Sequence, residues 1–221
     1  MQACIVIPAY NEARHIAGVI GEIKKYRLGV LVIDDGSKDN TADIAAGAGA
    51  LVIKNEINQG KGAALKKGFR YCLQGGYEAV ITMDGDGQHL PEEIAHFLEA
   101  AQKSSAGILV GNRMLNSKSM PLERLLTNKF MSWLISAVAG QDIPDTQCGY
   151  RLIKKELLEK LQLKTFNYEI ESEMLIQAAR LGFKIESVAI RTVYTGTKSQ
   201  INPLVDTFRF IRFILRAMLE G

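Results

Sequence analysis

Short, unbroken runs of Val, Ile and Leu alternate with helical patterns, and this alternation constrains the fold of the 221-residue chain more than any other feature. Ala3 to Ile7, Leu28 to Ile33, Ala50 to Ile53, Ala79 to Met83 and Gly107 to Gly111 read as strands. Helices are expected between them, from Glu12 to Lys25, Thr41 to Ala46, Gly60 to Leu73 and Pro91 to Ala101. Pro91 suits a first helical position, where its missing N–H costs nothing. Strands that are apolar on both faces need cover on both faces, and crossover helices supply it. The expectation is an α/β fold with a mostly parallel central sheet flanked by helices on both faces. Ligands of such a sheet bind beyond the carboxyl ends of its strands.

Polar clusters fall at those ends. Pro8-Ala9-Tyr10-Asn11-Glu12 follows the first strand and Asp34-Asp35-Gly36-Ser37-Lys38-Asp39 the second. Met83-Asp84-Gly85-Asp86-Gly87-Gln88-His89 follows the fourth, and Gly111-Asn112-Arg113 the fifth. One polar loop is ordinary; four on one sheet edge mark a site. Asp84, Asp86 and Gln88 put two carboxylates and an amide at alternate positions, a compact oxygen cluster suited to a hard divalent cation carrying a diphosphate. The plain alternative is an Asp/Gly turn. His89 is either a further ligand or a hydrogen-bonding loop residue, while His15 and His96 lie on helical stretches with no role.

Gly60-Lys61-Gly62 opens a helix, so backbone donors and Lys61 would face an anion, or else form a turn with a surface lysine. The chain has neither a strand-borne GxGxxG nor a GKS/GKT loop, which removes the support for a dinucleotide fold or a phosphate-loop ATPase. Asp34 and Asp35 are adjacent, so their side chains diverge. One would accept from a base imide or ribose hydroxyl, the other from local backbone or the metal, with Asp39 or Asn40 capping the next helix. Arg113, Arg124 and Arg151 are candidate anion binders, because guanidinium forks match phosphate oxygens.

Beyond Arg113 the pattern changes. Leu122 to Ala139 is helical, and a polar turn through Asp142, Asp145 and Gln147 leads to Arg151. Helices follow from Lys154 to Leu161 and Glu171 to Leu181, then a strand from Lys184 to Ile190. With no repeat or linker, residues 1–221 read as one domain. An amphipathic helix over 203–220 places Arg209, Arg212 and Arg216 on one face beside Phe, Ile and Leu. It would lie on an anionic membrane surface, or pack on its own domain or a twin. Cys4, Cys72 and Cys148 lack zinc or disulfide spacing, which suggests a reducing, cytoplasmic setting. The N-terminal run is too short and uncharged for a signal peptide, and no segment approaches the roughly eighteen apolar residues of a membrane span. A formal charge of +3 is too small to suggest nucleic acid.

Taken in order, these clusters resemble the inverting, metal-dependent nucleotide-sugar glycosyltransferases of the second family, within it the dolichyl- or polyprenyl-phosphate mannosyltransferase type. Asn58-Gln59-Gly60-Lys61-Gly62 and Asp145-Thr146-Gln147-Cys148-Gly149-Tyr150-Arg151 extend the match, as does Gly196-Thr197-Lys198-Ser199. The resemblance implies a GT-A-like domain, with residues 1–113 binding the nucleotide sugar (GDP- or UDP-linked) and 114–200 facing the acceptor. It implies that Pro8, Tyr10, Glu12 and one of Asp34 and Asp35 bind the nucleoside. Asp84, Asp86 and Gln88 would hold Mg²⁺ or Mn²⁺ on the diphosphate, with Arg113 near the phosphates and Arg124 on an acceptor-side segment. Gln147 and Arg151 would line the sugar or acceptor region, and Glu173 matches an acceptor-side carboxylate. Relatives of this type often add C-terminal membrane helices, so contact at the cytoplasmic face of a membrane is expected to be peripheral.

The reaction implied is a single in-line displacement, transferring mannose or glucose to a polyprenyl or dolichyl phosphate. A phosphate acceptor is already ionised near neutral pH and needs no general base. A saccharide hydroxyl acceptor would need one, with Glu169, Glu171 or Glu173 as candidates. A nucleotidyltransferase and a non-catalytic membrane-surface protein are the remaining alternatives.

Overall fold

The computed structural model describes residues 1–115, 120–193 and 203–219, with backbone alone for 203–208. Strand β1 (Ala3–Ala9) lies within a seven-stranded sheet, and Ile5, Val6 and Ile7 have no solvent exposure. The other strands are β2 (Gly29–Asp34), β3 (Leu51–Lys54), β4 (Ala79–Thr82), β5 (Ile108–Asn112), β6 (Arg151–Lys154) and β7 (Ile185–Ala189), in spatial order β3-β2-β1-β4-β6-β5-β7. The helices are α1 (Ile16–Ile23), α2 (Thr41–Gly47), α3 (Lys61–Gln74), α4 (Ile94–Lys103), α5 (Leu122–Ala139), α6 (Lys155–Leu158), α7 (Glu169–Arg180) and α8 (Pro203–Leu219). Ala9 pairs with Asp34 in parallel register and Val6 with Thr82, so the loops leaving β1, β2 and β4 emerge side by side.

The strands expected from apolar runs are all present within a residue or so. The helix expected from Glu12 starts at Ile16 instead, because His15 and Ile16 donate their N–H groups to Glu12 O and close a turn first. Residues 196–199 lie outside the described residues.

The sheet departs from expectation at β6. Arg151–Lys154 runs antiparallel to both β4 and β5 and sits between them, where a polar turn and the start of a helix were expected. Four residues with a charge at each end carry no period-two signal, yet with strands on both sides Arg151, Leu152 and Ile153 are buried. The helix that follows shrinks to Lys155–Leu158.

Arg151 itself is fully buried, and this corrects its expected role as an anion ligand. Its Nε donates to Cys148 O and its Nη2 to Thr146 O, both at 2.8 Å, and its Nη1 donates to Glu171 O. Three carbonyls therefore consume the guanidinium fork, tying the turn before β6 to the first turn of α7.

Two helical faces remain outward. Leu122, Leu126, Phe130 and Trp133 of α5 recur at helical spacing, and each is more than half exposed. On α8, Phe210, Ile214 and Ala217 are buried against the domain, while Ile211, Leu215, Met218 and Leu219 are exposed together with Arg209, Arg212 and Arg216. The final helix thus packs on its own domain and keeps an apolar and basic face outward. Among the described residues no helix is long and apolar enough to cross a membrane.

Arg151→Met leaves the carbonyls of residues 146, 148 and 171 without their donor in the interior. It should cost about 3 kcal/mol of unfolding free energy, measured by urea denaturation.

Candidate active site

The loops after β1 and β2 are stitched together. Asn11, held at a positive φ of 56°, donates its N–H to Ser37 Oγ and accepts from Lys38 N. Glu12 N donates to Thr41 Oγ1 at 2.8 Å, and Ala13 N to Asp39 Oδ2. Gly36 has φ 74°, and a Cβ there would come within 2.6 Å of Ile57 C, so only glycine lets the loop after β2 close against the loop after β3. Pro8 and Tyr10 sit half-buried in the same group.

Asp34 and Asp35 divide their duties as their divergence suggests. Asp35 accepts from Asn55 Nδ2 (2.8 Å), Gln59 N (3.0 Å) and Gly60 N (2.7 Å), which fixes the approach to α3. Asp34 accepts from Ser37 N through Oδ1, and its Oδ2 is buried without a hydrogen-bond partner. Such an acceptor is costly in the interior unless a ligand satisfies it. Asp34 is therefore the member of the pair equipped to take a donor group from a nucleoside.

After β4 the carboxylates cluster. Gln88 donates to Asp86 through both its backbone N (2.9 Å) and its Nε2 (2.8 Å). Asp84 N donates to His89 Nδ1 at 3.0 Å, and burial keeps that imidazole's pKa below the usual histidine range. His89 is thus a loop-holding acceptor whose ring lies 5.0 Å from that of Tyr150. Its Nδ1 is already engaged with the backbone, so the loop-residue alternative describes it. Glu12 is pushed up to about 7, first by burial and then by the charges of Asp86, Asp84 and Asp39. This concentration of negative charge is what a divalent cation would relieve.

Lys61 opens α3 with its Nζ 2.6 Å from Asp84 Oδ1 and 2.8 Å from Glu171 Oε1. Burial opposes the ammonium, but the two carboxylates outweigh it and hold its pKa above the normal lysine value. Burial likewise works to raise Asp84, yet Lys61, then His89 and Arg113, bring it down to about 2. A Cβ on Gly149 would lie 2.7 Å from Glu171 Oε1, 3.0 Å from Lys61 Nζ and 3.2 Å from Asp84 Oδ2. The ion cluster therefore presses directly on the backbone just before β6.

Arg113, at the end of β5, donates its N, Nε and Nη2 to the fully buried Asp145 at 3.0, 2.7 and 2.8 Å. Its charge is close enough to help lower the pKa of Asp84, and Asp145 fixes its orientation. Gln147 lies half-buried in the same turn, its Nε2 donating to Thr146 Oγ1. Arg124 is exposed in the first turn of α5, away from these hydrogen bonds and ion pairs. Glu173 needs correction: it accepts from Lys164 N, Thr165 N, Thr165 Oγ1 and Gln177 Nε2, so it anchors residues 164–165. Glu171 and Asp145 are the residues whose place the sequence hid, since each pairs with a partner far away in the chain.

Among the described residues no three His, Cys, Asp or Glu side chains form a closed metal cage. Asp84, Asp86 and Gln88 nonetheless fit Mg²⁺ or Mn²⁺ of the kind held by one or two carboxylates and completed by water and substrate phosphates. Two cavities of about 470 and 550 Å³ lie elsewhere, one beside Cys4 and Tyr77 and one between α3 and residues 158–164.

The family model described as Glycosyl transferase family 2 matches residues 4–162, which carry all four strand-end clusters. The chain belongs to glycosyl transferase family 2. This family 2 glycosyltransferase is 32% identical over 214 residues to UDP-N-acetylglucosamine--dolichyl-phosphate N-acetylglucosaminyltransferase of Methanococcus voltae, covering 86% of this chain and 85% of that one. It is 30% identical over 200 residues to polyprenol monophosphomannose synthase of Mycolicibacterium smegmatis, covering 84% and 75%. Glucosyl-3-phosphoglycerate synthase from Mycobacterium tuberculosis, solved with Mn²⁺, uridine diphosphate and phosphoglyceric acid, shares the fold. Its TM-score is 0.73 at 20% identity, covering 99% of this chain and 78% of that one.

Two variants separate the aspartates. Asp35→Ala removes the acceptor for three donors and should cost about 2–4 kcal/mol in urea unfolding. Asp34→Asn should leave stability closer to wild type but weaken UDP or GDP binding about tenfold by calorimetry. Glu12 sets a pH dependence in the metal-free protein. Its folded pKa is raised, so its stabilising effect is complete below about pH 4.5 and is lost as pH rises through about 7. Glu12→Gln should flatten the fall of the urea midpoint across that window.

Proposed function

We propose that this glycosyltransferase moves a hexose, mannose or glucose, with inversion, from a GDP- or UDP-linked sugar to a polyprenyl or dolichyl phosphate, using Mg²⁺ or Mn²⁺. One observation carries the choice of acceptor. Two of the three acceptor-side carboxylates are engaged elsewhere, Glu173 with the 164–165 backbone and Glu171 in an ion pair with Lys61. An acceptor that arrives ionised needs neither of them. The names of the Methanococcus voltae and Mycolicibacterium smegmatis relatives support the same reading.

In this reading Pro8, Tyr10 and the open Oδ2 of Asp34 receive the nucleoside. Asp84, Asp86 and Gln88 would hold the cation, which supplies neutralisation of charge on the departing diphosphate. Lys61 and Arg113 bring fixed positive charge to the same place. Gln147 sits where the sugar and acceptor would meet, and Arg124 on exposed α5 would draw in the acceptor's phosphate. An acceptor phosphate oxygen forms the new bond to the anomeric carbon. The bond from that carbon to the diphosphate oxygen breaks, its electron pair leaves with the nucleoside diphosphate, and no proton moves.

The outward faces of α5 and α8 support work at a membrane surface. Trp133 and Phe130 suit an interfacial layer, and Arg209, Arg212 and Arg216 suit anionic headgroups. A second copy of the chain is the other body these faces would fit. For the reaction, the hydroxyl-acceptor reading is favoured by one detail: Glu169 Oε2 is buried without a hydrogen-bond partner and would be its base.

The test is a donor screen with Mg²⁺ or Mn²⁺ and short polyprenyl phosphates, following released nucleotide and lipid-linked sugar together. Equal amounts of nucleoside diphosphate and lipid-linked sugar are expected. Pyrophosphate release, or transfer only to saccharide hydroxyls, overturns the proposal. Asp86→Ala should lower kcat by about a thousandfold at any cation concentration while the circular dichroism spectrum is kept.

A further inference from the structure

Three charges at the centre of the site make a closed set without any cation. Lys61 Nζ touches Asp84 Oδ1 at 2.6 Å and Glu171 Oε1 at 2.8 Å, and Gly149 packs over all three groups. Asp84 is also one of the side chains placed to hold the cation. A divalent ion arriving there meets a carboxylate already neutralised by an ammonium. Two positive groups sharing one carboxylate repel each other, and the contact is buried enough for that repulsion to count.

We propose that Lys61 is a built-in counter-ion that stands on Asp84 while the cation is away, and that Glu171 is the carboxylate that keeps the ammonium when the cation takes Asp84. This rests on the cation site described above and adds the groups that govern its filling. Asp84, Asp86 and Glu12 lie close enough for their negative charges to act on one another. Lys61 lets the protein fold and wait with that charge balanced. The Lys61 side chain has two carboxylates within reach and needs only a short swing to favour one of them. A nucleoside diphosphate would offer the displaced ammonium further anionic oxygens, so cation and nucleotide bind better together than either does alone. A lysine here therefore works as a gate on loading order. A lysine that only bound phosphate would have no reason to sit on a metal-ligating carboxylate, nor would it need Glu171.

Mn²⁺ binding to the full chain, followed by electron paramagnetic resonance of free Mn²⁺ with and without UDP or GDP, tests this independently of transfer activity. Wild type should bind Mn²⁺ about tenfold more tightly when the nucleotide is present. Lys61→Met should raise nucleotide-free Mn²⁺ affinity about tenfold, lower the melting temperature without Mn²⁺, and show a larger rise in melting temperature on adding Mn²⁺. Glu171→Gln should lower nucleotide-free Mn²⁺ affinity severalfold, because the ammonium then has only Asp84. Lys61→Met with Mn²⁺ affinity at or below wild type overturns the proposal, as does Glu171→Gln that binds equally or more tightly. Should Lys61→Met fail to fold, Glu171→Gln alone decides. A wild type that binds Mn²⁺ beside unchanged variants rejects only the counter-ion. A wild type that binds no Mn²⁺ with either nucleotide rejects the cation site, and the counter-ion with it.

Discussion

The burial of the middle of β1 on both faces is the constraint from which the rest follows. A strand with Ile5, Val6 and Ile7 sealed from water can only be flanked by other strands and covered by helices above and below. Its parallel pairing with β2 and β4 then forces three loops to leave from one edge. Three polar loops that would be unremarkable singly become one surface, because the register of β1 leaves them nowhere else to go.

What closes that surface is electrostatic. Asp84, Lys61 and Glu171 come from β4's loop, the start of α3 and the start of α7, and they meet over Gly149. Two arginines frame the group by opposite means. Arg113 is held by a buried carboxylate within electrostatic reach of Asp84, whereas Arg151 disappears into the interior and spends its donors on carbonyls. One residue type thus serves as an electrostatic wall and as a structural bolt within a few ångströms of sequence-adjacent backbone.

The parallel strands and their polar ends were legible because hydrophobic continuity is written locally. The glycosyltransferase resemblance was legible for the same reason, since its clusters are short and ordered. β6 was not, because its burial comes from neighbours on either side and not from its own four residues. Arg151 reads as an anion binder because a guanidinium fork matches phosphate oxygens, and Glu173 reads as an acceptor-side carboxylate through the resemblance, while carbonyls for the one and backbone amides for the other actually satisfy them. The pairing of Lys61 with Glu171 spans about half the chain and leaves no trace in spacing. Asp34 and Asp35 fall between these cases: their divergence followed from adjacency, but which of them kept a spare oxygen needed coordinates.

The anchoring of Gly60 by Asp35 has a mechanical consequence. Asp35 follows directly on the aspartate with the open oxygen, and Gly60 directly precedes the lysine of the ion cluster. The Asp34 end and the Lys61 end of the site are therefore joined by one short strut. A shift of the backbone at one end would reach the other without passing through the core, so a displacement at either end would be felt at both.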